Sequence, residues 1–150
     1  MSDPDHIHNW LRLDDRITTS GQPREDELAE IKALGVNHVI NLAMEDHEKS
    51  LTDERGALDA IDVEYIHIPV VFSAPTEQDF QQFCDTMDRL DGKKVHVHCI
   101  VNARVSAFFC RYRAERLGWN EEKARADMNK IWDPADWKEV GKPWVKFLEN

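Results

Sequence analysis

The sequence predicts an α/β domain built on a short, mainly parallel sheet flanked by helices. First, the β-rich runs "VNHVINLA" (36–43), "VEYIHIPV" (63–70) and "KKVHVHC" (93–99) alternate with segments of helical period. Second, such alternation is the pattern of crossover units whose strands pair in parallel. Third, 150 residues with 41% hydrophobic and 32% charged side chains make one domain, residues 1–150, able to bury a core without staples.

Residues 10–18 read as a short opening strand. Pro23 suits the first turn of a helix in which Leu28, Ile31 and Leu34 share a face, and Gly35 suits its end. The run "EDELAE" (25–30) reads as the solvated side of that helix. After the strand at 36–43, the segment 45–60 is loop-like at first, with Thr52 placed to cap a modest helix before the strand at 63–70. Thr76 can cap a helix carrying Phe80, Phe83, Cys84, Met87 and Leu90 on one stripe, and Asp91-Gly92 turns the chain into the strand at 93–99. A helix is expected from Arg104 to Leu117, ended by Gly118, and another from Asn120 to Ile131. Asp133-Pro134, and Gly141 with Pro143, are expected to divide the tail into short helical pieces, with Trp132, Trp137, Trp144 and Phe147 covering the core.

The formal net charge of −10 argues against a broad nucleic-acid or anionic-membrane surface. An anionic ligand must therefore be held locally, by amides and a few cations. No apolar run approaches the roughly 20 residues of a membrane helix, and "MSDPDHIHNW" lacks the basic flank and apolar segment of a leader, so a cytoplasmic protein is expected. Cys84, Cys99 and Cys110 have no paired spacing and read as free thiols rather than a disulfide framework or zinc site.

One stretch concentrates chemistry. "VHVHCIVNARVSAFFCRYR" (95–113) begins as a buried strand, breaks, and ends as a helix, with Cys99 at the break. Orphan amides and the dipole of a helix start attract anions and favour thiolate over thiol. Arg104 follows close enough to grip two oxygens of a bound oxyanion through its planar fork. Asn102 tolerates the left-handed backbone of a tight cradle, and Ser106 can donate a hydroxyl toward the sulfur. The plainer reading of a lone cysteine is a buried strand end; for Cys99 the adjoining His98, the helix start and the arginine outweigh it, whereas Cys84 and Cys110 sit inside apolar stripes.

The same stretch resembles the His-Cys phosphate loop of cysteine-dependent protein phosphatases. With "SGQP" (20–23), "GVNHVINLA" (35–43), "YIHIPV" (65–70), "APTEQDF" (74–80), "HCIVNARVSAF" (98–108) and "MNKIWDP" (128–134), the chain resembles a small bacterial phosphatase-like family. That family includes the phosphatase-like domain of beta-lactamase hydrolase-like proteins and is related in fold to dual-specificity phosphatases. The resemblance implies Cys99 as nucleophile and Arg104 as phosphate clamp. The amides of Ile100, Val101, Asn102, Ala103 and Arg104 would complete the cradle. Independently of the resemblance, His98 reads as a group orienting the loop and His96 as a hydrogen-bonded strand residue. The resemblance also implies a phosphocysteine intermediate, no cofactor and no metal, with a phosphorylated small molecule or a phosphoprotein as partner; nucleic acid and membrane are not expected, and oligomeric state is left open.

Two departures bear on catalysis. Ordinary cysteine phosphatases have five residues between cysteine and arginine; here there are four, Asn102 replaces the central glycine, and Val105 stands where that arginine would be. The resemblance also places an acidic residue just after "IPV", where this chain has Val71; Glu77 and Asp79 are nearby substitutes but suit the first turn of a helix. The short loop is equally the length of a rhodanese-like sulfurtransferase loop, against which stand the His98-Cys99 pair and the "SGQP" and "IHIPV" segments. A phospho-ligand binding module is the third reading, favoured by Val71. His6 with His8, and His96 with His98, are each spaced to point one way, but no acidic third ligand follows at a familiar spacing, so no metal site is expected. "MEDHEKS" (44–50) follows a strand end, making Asp46, His47 and Glu48 candidate rim residues.

Overall fold

The computed structural model describes residues 2–149. Strands β1 (Leu11–Arg12), β2 (Ile17–Ser20), β3 (His38–Asn41), β4 (Glu64–His67) and β5 (Val95–His98) form one sheet in the order β1-β2-β5-β3-β4. Only β1 runs antiparallel; β2, β5, β3 and β4 are parallel to one another. Their register brings Ser20, His98, Asn41 and His67 into one row at the carboxyl ends. Ligands of such sheets sit beyond that edge.

The expected opening strand is instead a hairpin. Asp14 accepts from the amides of Arg16 and Ile17 at 2.8 Å each, which turns the chain after Arg12. β2 then carries on to Ser20, past the expected end at residue 18.

Side chains alternate across the sheet, so two apolar clusters form, one on each face. Val39 joins Leu28 and Ile31 of α1 (Glu25–Lys32) and Leu58 of α2 (Glu54–Asp59), together with Ile7. Ile40, Val95 and Val97 face α3 (Glu77–Arg89), α4 (Ala103–Glu115), α5 (Glu121–Ile131) and α6 (Lys138–Glu149). There Phe80, Phe83, Phe108 and Phe147 pack mostly edge to face with centroids 5.0–5.9 Å apart, and each fully buried ring contributes about 1.5–3 kcal/mol. Trp132 and Trp144 join this cluster, whereas Trp137 stays half exposed. No helix among the described residues is long and apolar enough to cross a membrane.

Thr76 and Asn120 cap α3 and α5 as the sequence indicates, accepting from the amides of Asp79 and Lys123. α1 begins two residues beyond Pro23, and Glu27 on its expected solvated side is buried because its carboxylate accepts from the Arg24 amide. α2 is capped by Asp53 rather than Thr52, the carboxylate taking the Gly56 amide at 3.0 Å.

Gly141 and Pro143 do not divide the tail: both lie inside α6, which follows a 3-10 turn at Pro134–Trp137. Burial of Trp144 and Phe147 outweighs the missing proline donor. Gly141 is what lets helix and turn meet, since a Cβ there would lie 1.9 Å from the Pro134 carbonyl oxygen. Gly141→Ala is expected to cost about 2–3 kcal/mol through overpacking against backbone. A urea midpoint lowered at unchanged slope is the expected measurement; an unchanged midpoint would show that the turn yields freely.

Candidate active site

The chain leaves β5 at His98, passes through the loop 99–102 and enters α4 at Ala103. Asn102 makes the bend, with φ +70°, a conformation its residue type reaches at small cost. Its amide group donates to Asn9 O and Thr19 Oγ1, pinning the loop to the N-terminal segment and to β2.

The loop carbonyls are all held from behind. His98 Nδ1 meets Cys99 O at 3.1 Å, and the Gln22 amide donates to Ile100 O at 3.0 Å. Asn9 Nδ2 takes Val101 O, the Ser106 amide takes Asn102 O, and Trp132 Nε1 with Ser106 Oγ takes Ala103 O. By contrast, among the described residues the amides of Ile100, Val101, Asn102, Ala103 and Arg104 donate to no protein acceptor. A run of such amides at a helix start forms a concave donor surface for an anion.

Cys99, the first residue of this loop, is fully buried and belongs to the larger apolar cluster. Arg104 is buried as well; its Nη1 donates to Val70 O at 2.8 Å, and its guanidinium stands 5.8 Å from the Phe72 ring centroid. Nε has no partner, so the anchored Nη1 leaves the opposite edge of the fork for a ligand. Ser106 is directed elsewhere than expected. Its hydroxyl donates to Ala103 O, accepts from Trp132 Nε1 and makes no hydrogen bond to Cys99 among the described residues, the usual back-bonding of a helical serine.

The quoted motifs now have physical roles. Ser20 Oγ reaches Gly21 O and His96 Nε2, and Gly21 is required because a Cβ there would stand 2.5 Å from Ile100 O. Asn41 bridges Tyr65 and the Ala43 amide, Tyr65 donates to Glu45, and His67 meets Ala43 O at 2.6 Å, which fixes the neighbouring strand ends. In "MNKIWDP", Trp132 ties the tail to the first turn of α4.

Sequence spacing missed Glu54. From α2, 44 residues earlier, its Oε2 lies 2.6 Å from His98 Nε2, and its Oε1 accepts from Gln22 Nε2. Burial pushes the Glu54 carboxyl up, but the His98 charge and the hydrogen bonds from His98 and Gln22 outweigh it and hold it below the ordinary carboxylate value. His96 differs: burial, then the charge of His98, hold it well below the ordinary imidazole value, so it is neutral and bonded to the Thr18 and Ser20 hydroxyls.

Cys84 and Cys110 are unpaired and buried in helical stripes. Burial pushes the Cys84 thiol up to about 11 and raises that of Cys110, which leaves both as inert thiols near neutrality. Of the acid substitutes, Glu77 is bound by Arg111 at 2.7 and 2.9 Å, and Asp79 sits in the first turn of α3. Val71 is 46% exposed. Asp46, His47 and Glu48 lie exposed on the loop after β3, where the His47 ring accepts the Lys49 amide. His6 is tied to Glu30 at 3.0 Å and stands 3.8 Å from Glu27. The three offer ligand atoms within 4.8 Å of one another, but Arg24 already stands 3.4 Å from Glu27 Oε2 as counter-charge.

A mostly parallel sheet with helices on both faces and this loop at its carboxyl edge is the fold of dual-specificity and tyrosine phosphatases. The chain belongs to the family described as DSP-PTPase phosphatase fused to NAD+ kinase, whose model matches residues 6–137. A DUF442 protein from Shewanella putrefaciens CN-32 superposes with a TM-score of 0.81 at 26% identity, covering 96% of this chain and 93% of its own. TpbA of P. aeruginosa in complex with phosphotyrosine superposes with a TM-score of 0.73, over 99% of this chain and 91% of its own; at 19% identity this likeness concerns the fold alone. The beta-lactamase hydrolase-like protein of Agrobacterium fabrum is 30% identical over 92 residues, 59% of this chain. The chain covers only 21% of that relative's length.

Proposed function

We propose that the protein is a cysteine-dependent phosphatase that cleaves a phosphate monoester through a phosphocysteine intermediate. The observation that carries this reading is the polarity of the loop. Carbonyls from Cys99 to Ala103 are bound from behind, while the amides from Ile100 to Arg104 have no protein acceptor. Such a surface complements the equatorial oxygens of a phosphoryl group in transfer.

In this reading the Cys99 thiolate attacks phosphorus in line, and the P–O bond to the alcohol breaks as the S–P bond forms. The free edge of the Arg104 fork grips two of the three equatorial oxygens. Water then attacks the phosphocysteine, returning thiolate and releasing inorganic phosphate. With Val71 in the acid position, the departing oxygen takes its proton from solvent, so alcohols that leave easily, aryl above alkyl, are the favoured substrates. A phosphorylated small molecule and a phosphoprotein both present such esters.

Rapid quenching during turnover of an aryl phosphate, followed by mass spectrometry, is expected to find one phosphoryl group on the peptide bearing Cys99 and none in Cys99→Ser. No trapped phosphate, together with aryl alcohol release that is independent of Cys99, would sink the reading. Cyanide-dependent thiocyanate formation from thiosulfate would replace it with sulfur transfer.

A further inference from the structure

We propose that Glu54 is a positioning residue for Cys99: through a buried ion pair it keeps both nitrogens of His98 protonated, and that cation, bonded to the Cys99 carbonyl, favours the Cys99 thiolate. The proposal rests on the phosphatase reading for its purpose but on separate geometry for its substance.

Both nitrogens of the His98 ring are engaged. Nε2 meets a carboxylate oxygen of Glu54 at 2.6 Å, and Nδ1 meets the carbonyl of Cys99 at 3.1 Å. Both partners accept and neither can donate, so the ring satisfies both only with a proton on each nitrogen. His96, two residues earlier and 6.3 Å away ring to ring, is the contrast, since its partners are hydroxyls that either donate or accept. One histidine of the strand is thus built to be neutral and the other charged.

The charges around His98 come from known places. Glu54 approaches from α2 and is steadied by Gln22 at 3.2 Å. His67, at the end of β4, lies near enough to act on Glu54 electrostatically, and His96 is the neutral neighbour on β5. Glu54 and His98 are both buried, so the pair is weakly screened. The ring bonds the Cys99 carbonyl at 3.1 Å, so its charge sits against the Cys99 peptide, and a cation near a cysteine favours the thiolate.

Glu54→Gln tests the charge while sparing the shape. The amide still fills the site and can hydrogen-bond Nε2, and a neutral ring can keep its Nδ1 proton on Cys99 O. Thiolate absorbance in the ultraviolet, taken as the difference from a Cys99→Ser background, is expected to titrate about one pH unit higher in Glu54→Gln. The rate with an aryl phosphate is expected to fall about tenfold on the acid side and recover at alkaline pH. A folded Glu54→Gln protein with an unmoved titration overturns the proposal. Nitrogen NMR of the parent protein needs no variant: two protonated His98 nitrogens at neutral pH are expected, and one bare nitrogen overturns it. The absorbance requires no turnover. A shifted titration without aryl alcohol release keeps the coupling and removes the phosphatase reading; turnover with an unshifted titration does the reverse.

Discussion

Arg104→Lys is expected to lower kcat/KM for an aryl phosphate by about 10³-fold, with kcat falling along with it. The magnitude follows from what the fork does and an ammonium cannot. Nη1 is committed to Val70 O, so the rest of the guanidinium is held at a fixed angle, with Nε buried and making no hydrogen bond. In the proposed reaction, two parallel donors would track the equatorial oxygens as negative charge builds in the transition state. A lysine supplies one compact charge on a flexible stem and also releases the Val70 carbonyl. Removing a single preorganised donor costs about 10²–10³ in kcat, and an arginine that stabilises a transferring phosphoryl group is worth about 10³–10⁵. Steady-state kinetics with a phenolic leaving group, set beside tungstate affinity, checks this. Activity within tenfold of the parent would make Arg104 only a tether for the 68–75 segment.

How much of this was legible in the sequence depends on the range of the interaction involved. Periodicity and caps are local, so the stripe of α3, the Thr76 and Asn120 caps and the three parallel strands could be read directly. The bend at Asn102 was also local, because its residue type tolerates positive φ. The opening hairpin was hidden because its turn is made by one side chain, Asp14, in a segment whose pattern suits a single strand. The unbroken α6 was hidden because the fit of Gly141 against Pro134 is decided in three dimensions, and packing there overrides the helix-breaking residue types. At the candidate site, Cys99 and Arg104 could be singled out from adjacency to a helix start. Ser106 makes no hydrogen bond to Cys99 among the described residues, because the carbonyl three residues back takes its hydroxyl proton. Glu54 carries no local signal: its partners, His98 and Gln22, are distant in the chain.

Val71→Asp is expected to raise kcat/KM for an alkyl phosphate by about 10²-fold and to change an aryl phosphate by only a few-fold, because a general acid contributes about 10²–10⁴ where the leaving oxygen is poor. The position is suited to the change. Val71 adjoins Val70, whose carbonyl is bonded to the Arg104 guanidinium, so a carboxyl at 71 would stand beside the proposed phosphate-binding arginine. The valine is half exposed and its own carbonyl is already used by the Ala74 amide, so the substitution disturbs little packing and is expected to alter stability by about 0.5 kcal/mol or less. The readout is the ratio of alkyl to aryl kcat/KM together with the pH profile. The variant should gain an alkaline limb that the parent lacks, since the new acid works only while protonated. A ratio unchanged by Val71→Asp would mean either that the departing oxygen lies elsewhere or that another group already protonates it. The first alternative predicts that aryl and alkyl substrates remain far apart in rate, the second that they were close from the start, so the parent's own ratio decides between them.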